Sequence, residues 1–214
     1  MTNKGVNLRK IEKVIGFAFE NALRLHFDSI FLFENDSYPS AYFLSVLALE
    51  ELGKVTILDN FVWHTTTSGR RSARDEQESI DRIFQHQLKQ RIFANDAERF
   101  VPKKLLDSFR NGKVEVLKQN AVYVGLARKG RKTDLNGKVI SPYDVGLPKA
   151  RRQITIVNDF LIDLALGTIK EVYLIDNEYV ESMLNEELLV ELMGRWKFRG
   201  RKATARIKQL ESVV

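Results

Sequence analysis

Residues 40–54 read SAYFLSVLALEELGK. The first ten are almost all apolar or small, and the last five bring Glu50, Glu51 and Lys54 around Gly53. Apolar residues fall on both sides of a 3.6-residue wheel here, which is the pattern of a helix buried all round. Glu50 and Lys54 are four apart and meet on one face below Phe43 and Leu47. Glu51 lies about 100° further round, below Leu44 and Ala48. An unpaired carboxylate in such a helix costs several kcal/mol, roughly 3–5 by the cost of breaking a buried pair. At least one glutamate is therefore expected to meet a positive partner on another helix.

Working outward, the period stays helical. Leu8, Ile11, Ile15, Ala18, Ala22, Leu25, Ser29 and Leu32 form one stripe over residues 7–34. The central helix is predicted from Tyr38 and Pro39 to about Trp63, with the proline in the first turn where its missing N–H is not needed. Residues 65–75, TTTSGRRSARD, read as a loop. A third helix is predicted over 76–100, its stripe formed by Ile80, Ile83, Phe84, Gln87, Leu88, Arg91 and Ile92. Pro102 opens a fourth segment, which Asn111-Gly112 interrupts. Residues 128–148 hold three glycines, two prolines and five basic residues, a long basic surface loop with a hairpin at Asn136-Gly137. A fifth helix covers about 149–169, with Ile154, Val157, Leu161, Leu164 and Ala165 inward. An acidic sixth covers about 177–193, and a basic tail follows as a short helix or irregular chain. The expected class is all-α, with residues 1–169 as a helical domain and 170–214 as an extension packed on it.

Composition sets outer limits. The 214 residues include no cysteine, which removes disulfides, a thiol nucleophile and Cys-based zinc sites, and which suits a reducing cytoplasm. The polar start MTNKGVNLRKIEK lacks the apolar core of a signal peptide, and no run of eighteen apolar residues offers a membrane span. The net charge of +6 is unevenly spread. Residues 108–152 carry 11 basic and 3 acidic residues, 153–193 carry 1 and 9, and 194–214 carry 7 and 1. Basic blocks flanking an acidic one fit either a nucleic-acid footprint or helices that neutralise one another.

The third helix offers partners for the glutamates. Arg82, His86 and Lys89 follow at four and three residues and share one helical face. The simplest packing sets Glu50, Glu51 and Lys54 across from His86 and Lys89. Such a cluster either fixes helix register or serves as an active site. His26, between Leu25 and Phe27, reads as a boundary residue, and His64 as a helix-end residue. A metal at Glu50, Glu51 and His86 is not expected: Glu-x-x-His spacing is missing and Lys54 competes with a cation. No phosphate-binding glycine loop or dinucleotide fingerprint is present, so no cofactor is expected. Arg110, Arg128, Lys129, Arg131 and Lys132, and the Arg195, Lys197, Arg199 run with Trp196 and Phe198 between, are candidates for RNA contact. The competing reading makes Trp196 and Phe198 anchors of the tail.

These features together resemble the AbiV-type abortive-infection proteins, a phage-defence family of HEPN-like helical bundles. NALRLHFDSIFL (21–32) resembles the family's "NA..L..DA..L" helix, and residues 41–54 its "A..LA..A.EELGK" helix. His86 and Lys89 match an "H..K" pair, and Lys118 a basic residue five before a "YV" pair, here Tyr123 and Val124. The likeness covers about 12–166. It implies a homodimeric bundle acting on RNA, translation or a phage protein. Glu50, Glu51, Lys54, His86, Lys89 and Lys118 would be the functional centre. Many HEPN proteins are metal-independent ribonucleases with an Arg-x(4–6)-His motif. This chain departs from it: no arginine stands five to seven residues before His26, His64 or His86. Arg110-Asn111 opens like the motif, but positions 115–117 are Glu, Val and Leu.

Overall fold

The computed structural model describes residues 6–69, 72–129, 132–173 and 175–212. Helices α1 (Leu8–Glu34) and α2 (Tyr38–Ser68) form a long hairpin that dominates the molecule. Its turn places Asp36 at positive φ, a conformation that aspartate tolerates better than most residues. Ala41, Val46, Ala48, Leu49 and Leu52 of α2 are fully or almost fully buried. The apolar run in the sequence therefore marks the central helix. It extends past the predicted Trp63 because Thr65, Thr66 and Thr67 hydrogen-bond back to the carbonyls of Phe61, Val62 and Trp63. Those bonds satisfy hydroxyls inside a helix and keep a threonine run from breaking it.

The predicted third helix is two. α3 (Ala73–Asp81) starts at Ser72, whose hydroxyl caps the Asp75 amide. A 3₁₀ turn, Arg82–Phe84, leads to Gln85 in extended backbone, and α4 (His86–Asp96) begins anew. The break changes the helical phase. Phe84, predicted inward, is 74% exposed, while Lys89, Gln90, Phe93 and Ala94 face the interior. Arg82 consequently does not share a face with His86.

After α5 (Lys103–Arg110), Gly112 adopts positive φ and turns the chain into α6 (Lys113–Asn120). The basic loop carries four two-residue strands: β1 (Gly125–Leu126), β2 (Arg128–Lys129), β3 (Lys132–Thr133) and β4 (Val139–Ile140). β1 pairs with β4 and β2 with β3. Asn136 and Gly137 do lie in a turn, which the Gly137 amide closes on the Asp134 carbonyl, but this turn joins strands that pair elsewhere.

α7 (Leu147–Ile169) is the second central helix, with Ile154, Val157, Leu161, Ile162 and Ala165 buried. The acidic stretch splits into α8 (Glu178–Met183) and α9 (Glu186–Arg195), capped by Asn177 and Asn185. The tail is ordered as α10 (Arg201–Glu211), and α9 and α10 pack on α7. The class is all-α, as the helical periodicity indicates. No helix among the described residues is long and apolar enough to cross a membrane.

Candidate functional site

Three helices, α2, α4 and α6, deliver polar and charged groups to one buried point. Gly53 sets the spacing between α2 and α4: a Cβ there would lie 2.3 Å from the carbonyl oxygen of Lys89. Only glycine permits that approach, and it brings the first turns of α4 against Glu50. Glu50 is 1% exposed. Its Oε1 accepts from Lys118 Nζ (2.7 Å) and Gln90 Nε2 (2.8 Å). Its Oε2 accepts from His86 Nδ1 (2.6 Å), with Lys89 Nζ at 3.7 Å. Glu115 closes the ring by accepting from Lys118 (2.8 Å) and Gln90 (2.9 Å). Burial pushes the Glu50 carboxyl up, but the hydrogen bonds from Lys118, His86 and Gln90 and the Lys118 charge hold it below its ordinary value. Burial lowers the Lys89 ammonium, opposed by the charge of Glu50.

The partners differ in one decisive respect. The Lys89 and Lys118 side chains are each 7% exposed, whereas that of His86 is 56% exposed. Because Glu50 is an anion, it can only accept, so His86 Nδ1–H is the donor of this bond. That fixes the tautomer and leaves Nε2 as a basic lone pair. Nε2 has no partner among the described residues, so it is available to a molecule in solution. Glu51 and Lys54 stand beside this network as a pair of their own, Nζ to both Oε atoms at 2.7 Å. The geometry thus gathers Glu50, His86, Lys89 and Lys118 at one point with Glu51 and Lys54 adjacent. It adds Gln90 and Glu115, which the sequence did not single out. Their signal was their position: Gln90 follows Lys89, and Glu115 lies three residues before Lys118.

The candidate RNA contacts do not converge. Arg110 is engaged at the surface by Asn95 (3.2 Å), Glu98 (3.7 Å) and Asp107 (3.9 Å). Arg128 and Lys129 supply the backbone of β2, Lys132 is exposed on β3, and Arg131 lies outside the described residues. Arg195 pairs with Glu191 (2.7 Å) and stacks over Phe27, and Arg199 donates to the carbonyls of Trp196 and Phe198. Trp196 is buried, donating to Thr155 Oγ1 (3.0 Å) and packed edge-on against Phe33. Lys197 alone of that run points freely into solvent. The aromatic residues therefore seat the tail on α1 and α7.

His26 is a correction. It is fully buried, not at a boundary, and shares a 2.8 Å hydrogen bond with Asn158 Oδ1. Burial outweighs that bond and lowers its pKa to about 4, so the ring is neutral. Among the described residues no group of three or more His, Asp or Glu side chains is placed to hold a metal.

The family model HEPN_AbiV, described as AbiV, matches residues 10–160. The chain belongs to the AbiV family of HEPN proteins. The match runs from the start of α1 to the middle of α7 and contains every member of the Glu50 network. Membership gives this AbiV protein a place in abortive infection, the phage-defence response. No curated protein and no solved structure gives a significant match. HEPN domains commonly dimerise.

Proposed function

We propose that this AbiV protein is a cytoplasmic abortive-infection effector that attacks RNA, with the Glu50–His86 pair as its reactive centre. The carrying observation is the exposed imidazole held at Nδ1 by a buried, ionised carboxylate. This arrangement suits general acid–base work at a 2′-hydroxyl. His86 Nε2 takes the 2′-hydroxyl proton, and the 2′ oxygen bonds to the adjacent phosphorus. The P–O5′ bond breaks, a 2′,3′-cyclic phosphate forms, and the proton passes to the leaving 5′ oxygen. No metal enters these steps. Lys89 and Lys118 are buried against Glu50, so their part is to keep it ionised. The countercharge on the phosphate comes from a second copy across a homodimer. Residues 1–169 form the HEPN unit and 170–214 an extension that covers it.

A second reading has its own support. Glu50 is saturated by partners from α4 and α6, which is what a register-fixing clamp requires. In that reading the protein binds RNA or a phage protein without cleaving it. Incubating purified protein with total RNA, with and without chelator, separates the two. Cleavage that persists in chelator and vanishes in His86→Ala supports the first. Intact RNA under every condition contradicts it.

A further inference from the structure

Outside the Glu50 network, the molecule has a groove with an unusual surplus of unpaired cations. It runs between α5 and the first half of α7, as two adjoining cavities of about 530 and 510 Å³. Leu105, Arg152 and Ile156 line both, so the two form one channel. The cations along it are Lys104, Lys113, Lys149, Arg151, Arg152 and Arg199, against the carboxylates Asp107 and Asp159. Among the described residues, Lys104, Lys113 and Arg152 make no ion pair. Lys149 donates only to the Asp144 carbonyl (2.7 Å), and Arg151 lies over the Phe198 ring at 5.1 Å.

A second, independent observation points to a ligand. Each cavity holds a buried polar atom with no partner. Gln153 is 4% exposed and its Nε2 donor is unmatched at the first cavity. Asp159 is 3% exposed, and its Oδ1 is unmatched at the second, while Oδ2 accepts from the Gly200 amide at 2.8 Å. Buried polar atoms are nearly always satisfied, so two orphans on side chains that line one channel call for a partner there. Burial pushes the Asp159 carboxyl up to about 7, against the Gly200 hydrogen bond and the Arg199 charge.

We infer that this groove binds a short single-stranded RNA segment, a site separate from the Glu50–His86 centre. Lys104, Lys113 and Arg152 meet successive phosphates. The Gln153 amide donates to a phosphate or base oxygen, Asp159 accepts from a base amino group, and the Arg151–Phe198 stack is a platform for a base. From Lys149 to Asp159 the groove follows α7 for about 15 Å at 1.5 Å per residue. RNA suits it better than an acidic peptide because the orphan set includes an acceptor and the cations flank an aromatic ring. The first cavity opens at Asn111 and Lys113, next to Gly112, where a Cβ would lie 3.5 Å from the amide of Gln87, the neighbour of His86. A strand in the groove thus starts beside the turn that carries His86. The inference rests on the RNA reading only for the class of ligand.

The test is fluorescence anisotropy with a short labelled oligocytidylate, whose base carries both an amino group and an oxygen, over a range of salt, using full-length protein. Lys104→Glu with Arg152→Glu, both outside the core, is expected to weaken binding at least tenfold. It should also reduce the slope of log affinity against log salt by about 1.4, since each lost phosphate contact on a single strand removes about 0.7. Gln153→Leu, which conserves size, should weaken it several-fold. Lys10→Glu with Arg24→Glu on α1 makes the same charge change elsewhere and should leave the slope intact. Equal losses in both double variants, or wild-type binding by the groove variants, overturn the site. Binding of polyglutamate in place of RNA overturns the ligand. If the protein binds RNA through the groove yet never cleaves it, the His86 mechanism falls and the groove stands. If it cleaves RNA and the groove variants cleave and bind as before, the groove alone falls.

Discussion

Two buried carboxylates, Glu50 and Asp163, hold this bundle together in different ways. Asp163 on α7 accepts from Arg99 (3.1 Å), Arg206 (3.1 Å) and Tyr173 (3.0 Å), and Arg206 also donates to the Tyr173 hydroxyl. Arginines stay charged at all working pH values, so this cluster only ties α10 and the Ala97–Arg99 turn to α7. Glu50 has lysines and a histidine instead, and the histidine is the one partner that reaches solvent. Both clusters satisfy a buried anion. Only the Glu50 cluster offers a group that can exchange a proton with a bound molecule.

Removing each anion should expose the contrast. Glu50→Ala strands Lys89 and Lys118 in the interior, and urea unfolding is expected to show a loss of about 3–5 kcal/mol. Asp163→Ala is expected to cost less, about 2 kcal/mol, because the Arg99 side chain is already 42% exposed and can turn to water. Equal losses would mean that the two clusters are the same kind of clamp.

His26 gives an imidazole without a carboxylate. Its folded pKa, about 4, lies below the ordinary value near 6.5, so the unfolded chain binds the proton first. Its contribution is complete above pH 6.5 and is lost as the pH falls from there towards 4. The difference in unfolding free energy between wild type and His26→Leu should therefore shift by up to about 3 kcal/mol across that window. A pH-independent difference would refute the buried neutral ring.

Gly53→Ala should cost about 1–3 kcal/mol, since the obstacle is the Lys89 backbone and no side chain can yield. It should also weaken phage defence, because it moves α4 relative to Glu50. Unchanged thermal unfolding would contradict the close approach.

The sequence made the large elements plain and hid the breaks. The buried run before EELGK marked α2, and the His86–Lys89 pair marked the helix that meets it. Gln85 gave no warning, being neither glycine nor proline, yet it resets the phase that turns Gln90 inward and Phe84 out. His26 was misread because its partner, Asn158, is 132 residues away. A signal did exist: Asn158, Asp159 and Asp163 interrupt the apolar face of α7, and each is buried. The acidic stretch looked like one helix because Leu184-Asn185 carries no strong stop, and only the Asn185 cap separates α9 from α8.

The most direct test of the central claim is phage challenge with wild-type and His86→Ala protein at matched expression. With its side chain 56% exposed, His86 contributes little to folding, so the variant should lose under about 1 kcal/mol of stability. The account predicts loss of protection by a protein that unfolds at nearly the wild-type temperature. Full protection by His86→Ala would contradict it and leave the Glu50 network as a clamp.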